Sequence, residues 1–194
     1  AFGQTATDTP KTKIWLQKIT KNALRPSNEH KNFKKANAGY ALYFSQVGTL
    51  AVPYLVYVPK SYNPSKHYPL VVYLHGGLIS LDDFEYKDPE FAEEPIFSIA
   101  DKYNVLILFP FGRKSFGWIK DQKAFENVVS IIDSVKNKYN IDNQKIYLGG
   151  MSNGASATFW FISKTPDLFA GFYSFSALPK SKLTEINFKN IKQD

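Results

Sequence analysis

The residue of this sequence that is best suited to catalysis is a glycine-flanked serine. Ser152 lies in the segment Gly150–Gly154 (GMSNG), which fits the pattern G-x-S-x-G. The apolar run Lys145–Gly149 predicts a strand before it, and Asn153–Lys164 predicts a helix after it. A strained strand-to-helix turn holds a serine hydroxyl above the sheet, beside the N–H groups of the helix start. The pattern therefore favours a nucleophilic serine over a glycine-rich turn with an incidental serine.

A second glycine-rich segment, His75–Leu78 (HGGL), directly follows the apolar run Pro69–Leu74. Glycines after a strand let backbone N–H groups face a pocket. A serine nucleophile needs two such donors for the oxyanion, one from this loop and one from the residue after the serine. We therefore predict that the two oxyanion donors are the N–H group of Gly77, or alternatively of Leu78, and the N–H group of Asn153. The plainer interpretation is a tight turn that leaves a strand.

Strand and helix patterns alternate along the chain, which predicts an α/β fold with a mostly parallel sheet and helices on both faces. The predicted strands are Tyr40–Phe44, Leu50–Val58, Pro69–Leu74, Val105–Phe109, Lys145–Gly149 and Phe169–Ser176. The predicted helices are one from Pro10 that Pro26 stops, Pro95–Tyr103, Ala124–Tyr139 and Asn153–Lys164. The chain divides into a helical extension and connector at residues 1–39, a core at 40–177 and a polar tail at 178–194.

Composition narrows the function classes. The 194 residues are 44% hydrophobic and include no cysteine, which excludes disulfide scaffolds, thiolate metal sites and cysteine nucleophiles. The net charge is +7, but the lysines are spread out and no nucleic-acid motif is present, so we expect no nucleic-acid partner. No apolar run reaches the length of a membrane span. Nothing in the sequence calls for a metal or another cofactor.

The two glycine-rich segments and their surroundings resemble a known family. The chain is similar to α/β-hydrolases of the esterase branch that includes feruloyl esterases, acetylxylan esterases and polyhydroxybutyrate depolymerases. The matching segments are Tyr57–Tyr62, Tyr68–Gly77, Tyr139–Asp142, Lys145–Gly154 and Pro166–Gly171. They occur in the family's order and spacing between about Leu50 and Ala177.

The resemblance implies hydrolysis of a carboxylic ester that is carbohydrate-linked or polymeric, through an acyl-enzyme on Ser152. A histidine would take the serine proton, and an acidic residue would orient that histidine. The region of Trp118 lines the substrate pocket in this family, so Trp118 is predicted to be either a substrate-binding residue or a core tryptophan. Leu78 is the other predicted substrate-binding residue. The family's habits and the absence of cysteine point to a secreted or periplasmic bacterial protein. Peptide cleavage on the same fold stays open.

The sequence departs from the family's chain order of serine, acid and histidine. No histidine follows His75, which stands at a strand end and is expected to brace the loop. His30 and His67 do not match the catalytic position, and Asp167 occupies a structural one. Two further strands, a helix and two loops need on the order of 60 residues, more than follow Ala177 in this sequence.

We therefore expect a hydrolase domain that lacks its C-terminal strands. Either the sequence is a fragment of a longer protein, or a second chain completes the fold, or the protein is a degenerate hydrolase. The first two alternatives predict an enzyme only when acid and histidine are supplied. The third predicts a non-catalytic binding or scaffold protein.

Overall fold

A six-stranded sheet lies at the centre of the described chain. The structure, a computed structural model, describes residues 9–25, 33–179 and 189. The strands are β1 (Gly39–Val47), β2 (Leu50–Val58), β3 (Tyr68–Leu74), β4 (Leu106–Pro110), β5 (Ile141–Met151) and β6 (Gly171–Phe175). They lie in the order β1-β2-β4-β3-β5-β6. Pairing is antiparallel from β1 to β2 and from β2 to β4, and parallel between all the other neighbours. The predicted mostly parallel sheet is confirmed.

Helices cover both faces of the sheet, as predicted. They are α1 (Pro10–Lys21), α2 (Ser98–Tyr103), α3 (Gln122–Lys136) and α4 (Asn153–Lys164). Consecutive strand residues point to opposite faces. Leu70 of β3 accordingly joins the core beneath α3 and α4, with Phe125 and Phe161. Val71 joins the core beneath α1 and α2, with Trp15 and Phe97.

Local signals explain where the helices begin. The Thr9 side chain accepts a hydrogen bond from Thr12 N–H, and Pro10 takes the first position of α1, where no N–H partner is needed. The Asp121 side chain accepts from Lys123 N–H at the start of α3. Asn104 ends α2 in the left-handed conformation, with a φ of 53°.

Several predicted boundaries differ from the structure by one to four residues. Helix α1 ends at Lys21, before the predicted stop at Pro26. Helix α3 ends at Lys136 rather than Tyr139, although the Tyr139 N–H still donates to the Val135 carbonyl at 2.9 Å. Strand β5 begins at Ile141 rather than Lys145, because Ile141 already pairs with Tyr68. Backbone pairing extended this strand beyond the apolar run from which it was predicted.

The N-terminal helix is tied to the core, whereas most of the predicted polar tail lies outside the described residues. Ile19 of α1 is buried, and the Trp15 indole N–H donates to the Tyr86 carbonyl at 3.0 Å. His30 also lies outside the described residues. The division at residues 39 and 177 stays a prediction.

Candidate active site

Ser152 stands at the sharp turn between β5 and α4. Its φ of 53° and ψ of −112° are unfavourable for a residue with a side chain, at a cost of about 1–3 kcal/mol. Its N–H donates to the Phe175 carbonyl at 3.0 Å, and its carbonyl accepts from Ser156 N–H at 2.9 Å. The turn is held from β6 on one side and α4 on the other. The side chain is exposed, as a nucleophile requires.

The glycines around Ser152 are explained by the closeness of β3. A Cβ at Gly150 would lie 2.1 Å from the Leu74 carbonyl oxygen, and one at Gly154 would lie 1.8 Å from the same oxygen. A Cβ at Gly76 would lie 2.9 Å from the Ser152 Cβ. The backbones of the turn and of β3 therefore approach closely, and the start of the His75–Leu78 loop is in contact with the serine.

Two predicted donors lie on the segments that flank Ser152. Gly77 has a φ of 76°, a left-handed conformation that favours glycine. Asn153 is the first residue of α4, where the backbone N–H has no partner within the helix. Across the described residues, neither of these two N–H groups donates a hydrogen bond. The alternative donor, Leu78 N–H, donates to the Asn153 side-chain oxygen at 3.2 Å.

His75 is engaged on both ring nitrogens by backbone groups. Nε2 accepts from Gly112 N–H at 2.9 Å, so the ring proton is on Nδ1, which donates to the Gly76 carbonyl at 2.7 Å. The ring stacks on Phe109 with 5.5 Å between centroids. Burial lowers the pKa of the imidazole to about 4, although the Gly76 hydrogen bond opposes the shift. This arrangement suits the predicted brace and leaves no nitrogen for the serine.

Trp118 and Leu78, the predicted substrate-binding residues, are 3% and 0% exposed. The Trp118 indole N–H donates to the His75 carbonyl at 3.1 Å. The Leu78 side chain fills the space beside Gly112 and Gly117, which have no room for a Cβ. Both residues support the loop from behind in this structure. Their contact with substrate stays a prediction.

The other histidine that the structure describes is far from the serine. His67 lines a shallow groove of about 800 Å³ together with Asn140 and Asp142, at the beginning of β5. Ser152 follows the end of the same strand, so the two are separated by on the order of 30 Å. Within the described part of the chain, no group of three or more His, Asp or Glu side chains could hold a metal ion.

The sequence analysis missed the side-chain link from Asn153 to Leu78 and the support from Gly112 and Gly117. Both glycines lie in the segment between β4 and Trp118, and this pattern could have indicated close packing there. The Asn153 link joins residues 75 positions apart, and no local pattern indicates it.

The mixed sheet, the strained serine turn and the adjoining glycine loop together define the α/β-hydrolase class. The chain belongs to the family described as Esterase PHB depolymerase, whose profile matches residues 52–179, more than half of the chain. The predicted resemblance is confirmed.

Two curated relatives are esterases. The chain is 31% identical over 121 residues to the bifunctional acetylxylan esterase/xylanase XynS20E of Neocallimastix patriciarum, a match that covers 60% of this chain and 16% of that protein. It is 29% identical over 90 residues to feruloyl esterase B of Talaromyces stipitatus, covering 41% of this chain and 25% of that protein. The matched segment is thus a quarter or less of each relative.

A solved thermostable esterase has a similar fold. It superposes with a TM-score of 0.56 at 27% identity, covering 69% of this chain and 40% of the esterase. No helix in the described ranges is both long and apolar enough to cross a membrane.

Proposed function

We propose that this chain carries the nucleophile and the oxyanion donors of a serine hydrolase that cleaves carboxylic esters. The observation that carries the proposal is the strained turn at Ser152, exposed and in contact with the glycine loop. The family of the chain and the esterase relatives support the reaction class. By their names, those relatives act on acetylxylan and feruloyl esters, which favours a carbohydrate-linked or polymeric ester here.

In the proposed reaction, Ser152 Oγ attacks the ester carbonyl carbon while a histidine takes the hydroxyl proton. The carbonyl oxygen becomes an oxyanion that accepts hydrogen bonds from Gly77 N–H and Asn153 N–H. The carbon–oxygen bond to the alcohol then breaks, and the histidine proton goes to the departing alcohol. Water repeats the sequence on the acyl-enzyme, releasing the acid and restoring Ser152.

We propose that the acid and the histidine are supplied by further polypeptide rather than by this chain. His75 is committed to backbone partners, and His67 lies at the other end of β5. Within the described chain, β6 is paired on one side only, and it presents exposed Phe175 beside exposed Met151. An open strand edge with apolar neighbours is a suitable place for further polypeptide to pack.

A secreted location remains part of this proposal.

The test is covalent labelling of Ser152 with a fluorophosphonate probe, with Ser152→Ala as the control. The chain by itself is expected to hydrolyse p-nitrophenyl acetate on the order of 10⁴- to 10⁶-fold more slowly than a complete hydrolase, because the base is missing. Rapid turnover by the purified chain that is abolished in Ser152→Ala would refute the external supply of acid and histidine.

A non-catalytic binding or scaffold protein is the second candidate, favoured by the engagement of both His75 nitrogens. The two candidates differ in the native assembly, that is, the chain together with whatever completes it. Labelling of Ser152 there supports the enzyme. Absence of labelling there supports the binding protein.

A further inference from the structure

The Asn153 side chain joins the two segments that carry the proposed oxyanion donors. Its Oδ1 accepts a hydrogen bond from Leu78 N–H at 3.2 Å, and its own backbone N–H is one of the two donors. Asn153 adjoins Ser152, and Leu78 adjoins Gly77. The bond therefore spans directly from the nucleophile turn to the loop that carries the second donor.

The other supports of the loop point in a different direction. The His75 ring and carbonyl are held by Gly112 N–H and by the Trp118 indole, and the Leu78 side chain packs beside Gly117. All of these partners belong to the segment after β4. They fix the base of the loop against that segment and do not set its distance from α4.

The Gly77 carbonyl accepts hydrogen bonds from the Ser80 N–H at 3.0 Å and the Ser80 hydroxyl at 2.8 Å, both within the same loop. A Cβ added at Gly77 would meet no atom within 4 Å, and the residue is exposed. Its position relative to α4 therefore depends on its neighbours, Gly76 and Leu78. Gly76 is in contact with Ser152, and Leu78 N–H donates to Asn153. Both neighbours of Gly77 are therefore fixed by the nucleophile turn.

We infer that the Asn153 side chain is a positioning residue for the oxyanion site. By accepting the Leu78 N–H, it leaves Gly77 N–H as the loop's donor and holds that donor next to the N–H of Asn153. An amide suits this role because its oxygen is neutral. A carboxylate would accept the same bond, but it would place a negative charge beside the developing oxyanion. The inference rests on the proposed function.

The experiment compares Asn153→Ala and Asn153→Asp with the wild type in the native assembly, by two measurements. The first is hydrogen exchange of the Leu78 amide. The second is the kinetics of Ser152 labelling by a small fluorophosphonate, separated into the binding constant KI and the bond-forming rate kinact. Ser174→Ala is the matched control, because it removes a 3.1 Å side-chain bond to the Ala155 carbonyl in the same helix turn without touching the loop.

For Asn153→Ala, we expect the Leu78 amide to exchange at least about tenfold faster. We expect kinact to fall roughly ten- to a hundredfold, which is less than the loss caused by removing an oxyanion donor outright. We expect KI to stay within about twofold of the wild-type value. Asn153→Asp should keep the Leu78 amide protected while kinact still falls. If the role of Asn153 were purely structural, kinact of the folded protein would be the same in both variants as in the wild type.

Unchanged Leu78 exchange in Asn153→Ala, or an unchanged kinact, would overturn the inference. A faster kinact would also overturn it, because it would show that the side chain competes with the oxyanion for Leu78 N–H. An unreactive Ser152 in the wild-type native assembly would refute the proposed function instead. The Leu78 exchange would then decide by itself whether Asn153 holds the loop.

Discussion

The serine turn and the outer face of β5 and β6 are neighbouring regions built in opposite ways. At the turn, backbone packs on backbone so tightly that Gly150 and Gly154 have no space for a single carbon atom. On the outer face, the apolar side chains of Tyr147, Met151 and Phe175 are 36%, 51% and 58% exposed. The first region has its geometry set by contacts within the described chain. The second has apolar surface without a covering layer from the described residues.

This contrast bears on which parts of a hydrolase site can form independently. The nucleophile and oxyanion loop take their positions from β3, β5, β6, α4 and the segment after β4. Further polypeptide that supplies an acid and a histidine beyond β6 would have to pack against the outer face. The proposed division of the site between described and further polypeptide therefore follows the boundary between packed and open surface.

The largest effect is expected from filling the packed region. Gly154→Ala places a Cβ 1.8 Å from the Leu74 carbonyl oxygen, which forces the backbone apart. We expect it to lower the free energy of unfolding by about 3 kcal/mol. The matched change on β6, Gly171→Ala, meets only the Tyr147 ring at 3.3 Å and should cost less than about 1 kcal/mol. Urea unfolding of both variants measures the difference, and equal losses would break the contrast.

The next effect concerns His75, the buried brace of the packed region. Its pKa is about 4 in the folded chain, against the ordinary value of 6.5 for a solvated imidazole, so the unfolded chain binds the extra proton between these values. Stability should therefore fall as the pH drops from about 6.5, by about 3 kcal/mol when pH 4 is reached.

The control for this prediction is His75→Gln, which cannot titrate. Glu94, whose pKa is raised by burial, is present in both proteins, so its contribution cancels in the comparison. Urea unfolding at pH 7 and pH 4 should show a smaller loss of stability in His75→Gln than in the wild type. The same pH dependence in both proteins would contradict a buried, neutral His75.

The smallest effect is expected on the outer face. Phe175→Lys replaces an exposed ring and should change the free energy of unfolding of this chain by less than about 0.5 kcal/mol. Phe44→Lys, at a 51% exposed ring on β1, is the matched control at the other side of the sheet. A loss above about 1 kcal/mol for Phe175→Lys alone would mean that this face is already covered in the isolated chain.

Much of the fold could be predicted from local patterns. Strand β2 and helix α4 have the predicted boundaries, because a run of β-branched and aromatic residues and a clear helix start define them locally. Strand β5 was predicted too short, since its first residues, from Ile141, are held by pairing with β3 rather than by their own apolarity. In the same way, local residues indicate Ser152 through its flanking glycines, whereas no local pattern indicates the Asn153 link to Leu78.

Local patterns were enough to predict the order of strands and helices, the glycine-flanked serine and the glycine loop after β3, because each is encoded in residues next to one another. The folded chain was needed to show that Asn153 accepts from Leu78 N–H, that Trp118 is buried behind the loop and that His75 is held on both nitrogens. These facts depend on hydrogen bonds and packing between segments far apart in the chain. Such contacts arise when the sheet brings the ends of β3, β4 and β5 to one edge.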